Sequence, residues 1–190
     1  MINSISEIVR HTIQPHGFHA GTPCSMIRLA QSPGFGVVAK ELQQVLHNEW
    51  VVLKGRDTEA LTHPDIDAVL HLLRGWGKRV ILETNGTVEF DLRKVANCWK
   101  VLTPKEHLGT SEVKENFWER ANEVIITIRD EEDFKHYEDR LCQAPHKQEI
   151  WLQPFGINPA QESKEIMFIL EKYFWFKFQP ETRERQVYPT

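Results

Sequence analysis

The stretch WVVLKGRDTEALTHPDIDAVLHLLRGWGKRVILETNGT, residues 50–87, decides the fold. It opens on a β-branched and aromatic run, WVVLKG (50–55), and closes on a second, RVILETN (79–85), each with the length and composition of a buried strand. Between them, DIDAVLHLLRGWG places Ile66, Val69, Leu70 and Leu73 at helical spacing, behind Pro64 and Asp65 and ahead of Gly75 and Gly77. Pro and Asp before an apolar-periodic run start a helix, and Gly after it ends one. The stretch therefore predicts a β-α-β unit.

The same alternation extends in both directions. CSMIRLA (24–30), WKVLT (99–103), EVIITI (123–128), EIWLQP (149–154) and FWFKFQ (174–179) read as further strands, for seven in all. VVAKELQQVLHN, SEVKENFWERAN, DEEDFKHYEDRL and AQESKEIMFILEKY read as helices between them. Strand and helix in alternation imply an α/β fold with a mostly parallel sheet. Seven strands in 190 residues fall short of a full eight-unit barrel of about 250 residues, so a partial barrel or open sheet is expected. With 41% hydrophobic residues and no linker or repeat, residues 1–190 are read as a single domain.

Composition narrows the function classes. A net charge of −4 gives no general attraction to nucleic acid or to anionic membranes. No apolar run is long enough to span a membrane and MINSISEIVRHTIQ is unlike a secretion signal, so a cytoplasmic protein is expected. The three cysteines, Cys24, Cys98 and Cys142, are too widely spaced for a disulfide framework or a metal knuckle, so no metal site is expected. His11, His16 and His19 lie near Cys24, but no second ligand cluster completes a four-coordinate set. Phosphate-loop, HExxH and nucleophile-elbow motifs are absent.

In parallel α/β folds, ligands sit at the C-terminal ends of the strands. There ETNGT (83–87) offers a carboxylate, an amide and two hydroxyls around one Gly, a set that binds a polar heterocycle or ribose and equally closes an Asn-Gly turn. TPK (103–105) presents a hydroxyl and an ammonium around Pro, and KGRDT (54–58) holds charges of both signs that can also pair locally.

Taken in order, IQPHGFHAGTPCSMIRL (13–29), VVLKGRDT (51–58), ETNGT (83–87), WKVLTPK (99–105), ERANEVI (119–125), IWLQP (150–154) and FWFKFQ (174–179) resemble the motifs of 7-carboxy-7-deazaguanine synthase. That family belongs to the radical S-adenosylmethionine enzymes and contracts a pterin ring to make the 7-deazapurine precursor of queuosine, a lyase reaction. The resemblance implies a partial (β/α) barrel of the radical S-adenosylmethionine type and a homodimer. It also places Gln14 and Arg28 on the substrate side, Thr84 and Asn85 in a ligand-facing turn, and Thr103 and Lys105 on the cofactor side.

The departures are concentrated on the catalytic face. Where the family carries CxxxCxxC this chain has AQSPGFG (30–36), without a cysteine and passing directly into the helix VVAKELQQVL. A [4Fe–4S] cluster is held by Cys thiolates, so no cluster is expected. The family's GGEP is Gly55-Arg56-Asp57-Thr58 here, and its GEG turn is Pro15-His16-Gly17. The expected protein is a cluster-less homologue without radical chemistry. It would bind a purine, pterin, 7-deazapurine or nucleotide-like molecule, with residual S-adenosylmethionine or nucleotide binding in the old pocket, or it would bind a protein partner.

Two alternatives stay open. His16, His19, Arg56 and Asp57 would serve a redirected, non-radical enzyme if they line one mouth, since a His beside a carboxylate does acid–base chemistry near neutral pH. The polar ending PETRERQVYPT (180–190) and the aromatic run from Tyr173 to Phe178 would instead suit an interaction module, the run serving either as core or as a dimer seam.

Overall fold

The computed structural model describes residues 2–30, 35–56, 59–109, 111–143, 148–156, 159–173 and 175–178. Asp57, the loop residues 31–34, Phe174, Gln179 and the ending 180–190 lie outside the described residues. In chain order the elements are β1 (Ile2–Ile13), β2 (Pro23–Leu29), β3 (Phe35–Val37), α1 (Ala39–Val45), β4 (Trp50–Gly55), α2 (Ile66–Gly75), β5 (Arg79–Thr84) and β6 (Trp99–Leu102). They continue with α3 (Glu115–Arg120), β7 (Glu123–Ile128), α4 (Glu131–Lys135), α5 (Glu138–Cys142), β8 (Glu149–Pro154), α6 (Pro159–Lys172) and β9 (Lys177–Phe178).

One sheet runs in the order β3-β1-β2-β4-β5-β6-β7-β8-β9. β1 is antiparallel to β2 and β3, and every other pair is parallel. Apart from β3, which lies at the outer edge beside β1, the strands from β2 to β9 are ordered in space as in the chain. Right-handed crossovers then place every helix on the same face, and a sheet covered on one side only curls around its bare face. Buried residues of each described α-helix, among them Leu42, Val69, Phe117, Phe134, Leu141 and Ile166, join Leu53, Leu82, Val124 and Ile126 in one core. The result is the partial barrel expected from the sequence.

The 50–87 unit folds as read. Ile66, Val69, Leu70 and Leu73 are the buried stripe of α2. Past its end, Gly77 N–H donates to Arg74 O and Lys78 N–H to Leu73 O, a Schellman closure that requires the left-handed φ of 69° at Gly77.

Two expectations are corrected, and one strand is added that the sequence reading did not assign. The chain does not pass directly from the AQSPGFG segment into a helix, because Phe35–Val37 pair with β1 as strand β3 before α1 starts at Ala39. The run DEEDFKHYEDRL is two short helices. Tyr137 N–H bonds Phe134 O there, and the buried Tyr137 hydroxyl meets His107 Nδ1 at 2.8 Å. The N-terminal segment forms β1, the longest strand. Its two register shifts against β2 break the period-two alternation that marks a strand in sequence. Tyr173 and Phe176 are core, whereas Trp175 is about half exposed. No helix among the described residues is long and apolar enough to cross a membrane.

Candidate functional site

The inner face of the barrel is set by strand alternation. Cys24 and Met26 of β2, Val52 of β4, Ile81 of β5, Val101 of β6 and Ile125 of β7 form a second apolar cluster against Trp50, Trp99 and Trp151. Side chains two residues further along a strand share the same face. Arg28, Lys54, Glu83 and Thr103 therefore stand one layer above this apolar floor, where β2, β4, β5 and β6 end. They line a cleft of about 570 Å³ together with Gly55, Arg56, Glu59, Ala60, Thr84, Asn85 and Lys105.

Glu83 is the centre of the polar layer. Its Oε1 accepts from Gln14 Nε2 at 3.3 Å and faces His16 Nε2 at 3.3 Å, while Oε2 faces Lys54 Nζ at 3.7 Å. Burial pushes its carboxyl up, but the His16 hydrogen bond, the Lys54 charge and the Gln14 amide together outweigh it and hold the carboxyl at about 2. On β2, one strand beyond β4, Arg28 Nε lies 2.8 Å from Glu7 Oε2 of β1.

The ETNGT turn is built mainly by its own side chains. Thr84 Oγ1 accepts from Gly86 N–H, and Asn85 Oδ1 accepts from both Thr87 N–H and Thr87 Oγ1–H. Glu59 completes it, with Oε2 accepting from Asn85 N–H at 2.7 Å and Oε1 from Leu61 N–H at 3.1 Å. Gly86 has φ 73°, and a Cβ there would lie 2.8 Å from Leu102 Cδ1 and 2.9 Å from Val113 Cγ1. The turn is thus closed from both sides and projects Asn85 into the cleft.

The hairpin loop between β1 and β2 belongs to the other end of the strands and folds in over the inner face. Gln14 and His16 reach Glu83 from below, and Gln14 is fully buried. Further out, Phe18 stacks on Trp99, and His19 packs against Trp50 and Trp99. Burial and the charge of Arg79 hold the imidazole of His19 below its ordinary value. Phe18 N–H and Trp99 Nε1–H donate to Glu123 Oε2, and burial raises the Glu123 carboxyl.

Arg28, Thr84, Asn85, Thr103, Lys105 and Arg56 are thus brought together, while Gln14 and His16 support the wall through Glu83. His19 lies among the tryptophans of the floor, away from the cleft, so the proposed grouping of His16, His19 and Arg56 does not form. Asp57 lies outside the described residues. Lys54 and Glu83 were not singled out as site residues, although each interrupts the inner-face alternation with a charge two residues past Val52 or Ile81. Glu59 has no sequence signal, because only the tertiary fold brings it to the Asn85 backbone.

The cysteines do not assemble a cluster site. Cys24 lies in the inner floor and Cys98 in the helix-side core, on opposite faces of the sheet, while Cys142 is exposed at the end of α5. Burial drives the Cys24 thiol up to about 11, and Cys98 is raised for the same reason. Among the described residues, no three His, Cys, Asp or Glu side chains are placed to hold a metal ion. A [4Fe–4S] cluster needs three thiolates around one loop, and this donor set does not fit it.

The strand order and the layered inner face define a partial (β/α) barrel built on a mostly parallel sheet. In particular, the structure is similar to the crystal structure of QueE from Escherichia coli, with a TM-score of 0.73 and 21% identity over 96% of this chain and 93% of that one. No protein-family model matches the sequence, and no curated protein matches it.

Proposed function

We propose that this chain is a cluster-less relative of 7-carboxy-7-deazaguanine synthase, the activity that the name QueE denotes, and that it retains the ligand cleft without the radical chemistry. The observation that carries this reading is the cleft itself. Arg28, Thr84, Asn85, Thr103 and Lys105 line it, in a chain whose three cysteines sit in three separate places. The ligand class is a small polar heterocycle of the purine, pterin, 7-deazapurine or nucleotide type, held by Asn85 and the threonine hydroxyls. The family likeness also suggests a homodimer, which light scattering tests.

Native mass spectrometry of the protein as purified is expected to show a retained small molecule, which substitution of Asn85 by Leu removes. Anaerobic reconstitution with iron and sulfide is expected to give no stable [4Fe–4S] spectrum. A stable cluster with reductive cleavage of S-adenosylmethionine would overturn the reading.

One observation favours a second reading. His16 and Glu83 lie 3.3 Å apart beneath the cleft, the geometry of an acid–base pair. Turnover of a bound heterocycle that His16→Gln abolishes while binding persists would establish that reading instead.

A further inference from the structure

The outer face of α6 carries large apolar side chains where a surface helix ordinarily carries polar ones. Glu162, Ile166, Ile169 and Tyr173 are buried at the spacing of one helical stripe. On the opposite side, Lys164, Met167, Phe168 and Glu171 recur at i, i+3, i+4 and i+7 and are all exposed, Met167 at 53% and Phe168 at 61%. At about 100° per residue these four form a single stripe. Among the described residues, the side chains of Lys164 and Glu171 have no hydrogen-bond or ion-pair partner. The polar groups beside the stripe are engaged within the chain, Gln161 Nε2 with Glu165 Oε1 at 2.7 Å and Lys172 Nζ with Glu138 Oε1 at 3.2 Å.

The order of charges along this stripe decides what covers it. Glu171 stands in the last turn of α6, where the helix dipole disfavours an anion, so the helix by itself gains nothing from a carboxylate there. Lys164 and Glu171 are seven residues apart, about 10.5 Å along the axis, too far to pair with each other. A two-fold axis passing between Met167 and Phe168 gives both a partner. It sets a second α6 antiparallel to the first, with Met167 of each copy beside Phe168 of the other. Lys164 precedes that axis by as many residues as Glu171 follows it, so each ammonium meets the carboxylate of the other copy, twice over by symmetry. The stripe is thus complementary to itself, with an apolar centre and a charged rim, the anatomy of a protein interface.

We propose that the outer face of α6 is the contact surface of a homodimer, paired antiparallel about a two-fold axis between Met167 and Phe168. This assignment rests on the homodimer suggested above, whose face it gives, and is independent of what the cleft binds. A single helix pair of this length falls short of the roughly 1,200 Å² at which stable interfaces begin, so the dimer is expected to dissociate on dilution.

Sedimentation equilibrium of the full chain over a range of concentrations tests it. A reversible monomer–dimer equilibrium is expected. Phe168→Gln, Lys164→Glu and Glu171→Lys are each expected to weaken it about tenfold or more, with the melting temperature of the dilute protein unchanged. The doubly exchanged chain, Lys164→Glu with Glu171→Lys, is expected to dimerise like the parent. An equimolar mixture of the Lys164→Glu and Glu171→Lys chains is expected to dimerise as well, because one copy then offers carboxylates at both positions and the other offers ammonium groups. Single variants that stay monomeric when mixed, or a doubly exchanged chain that does not dimerise, would overturn the two-fold pairing. A dimer that none of the three substitutions weakens would place the seam on another face and overturn the assignment alone. A monomer at every concentration would overturn the assignment and the homodimer together, and a retained small molecule in the native mass spectrum would still uphold the reading of the cleft.

Discussion

Glu83 shows how a single buried carboxylate ties the loop before β2 to the strand ends. In the folded chain its carboxyl titrates at about 2, below the ordinary 4.5, so the unfolded chain binds the extra proton between those values. Its contribution to stability is therefore complete above about 4.5 and is lost as pH falls toward about 2. Urea unfolding across that window is expected to show a falling free energy for the native sequence and a flatter profile for Glu83→Gln. At neutral pH the variant is expected to be the less stable of the two, because Lys54 and His16 lose their shared acceptor. A charged Glu83 was visible in ETNGT, but its role was not. Its partners Gln14 and His16 are distant in sequence and meet it only after β1 and β2 have paired.

At the scale of elements, the ETNGT turn is the piece on which the cleft depends. Gly86 faces two penalties on substitution, a left-handed φ of 73° and contacts under 3 Å with Leu102 and Val113. Gly86→Ala is expected to cost roughly 2–4 kcal/mol, read from thermal or urea unfolding, as backbone strain adds to overpacking. It should also weaken any cleft ligand, since Asn85 and Thr87 are aligned by the same turn. The sequence showed this element well, because Asn-Gly at a strand end has a local physical meaning. It showed β1 poorly. Register shifts in that strand bring Ile5 and Ile8 to the core side at a spacing of three, which no period-two reading detects. The short β3 was likewise hidden, since three residues at a sheet edge carry too little pattern to stand out from the helix that follows.

For the molecule as a whole, the order of strands explains why one face of the sheet is armoured by the helices, six among the described residues, and the other is available for a site. The same separation keeps the cysteines apart. With Cys24 and Cys98 buried on opposite faces and Cys142 exposed, an aromatic disulfide reagent is expected to label Cys142 rapidly in the native protein. The other two should react only on unfolding, on the timescale of a tryptophan fluorescence change. Rapid native labelling of Cys24 or Cys98 would show that the barrel floor or helix-side core opens readily, contrary to the packing seen here.

Local pattern and residue identity are enough for the α/β class, the seven parallel strands, the amphipathic face of α2, the ETNGT turn and the lack of cysteines in the 30–36 segment. Each of these is written in local periodicity or in residue identity. Tertiary contacts alone put His19 in the floor, bring His16 to Glu83, set Glu59 on the Asn85 backbone and pair Arg28 with Glu7. These depend on which strands become neighbours and on how a hairpin loop folds across them. Such contacts span dozens of residues and leave no mark on local spacing.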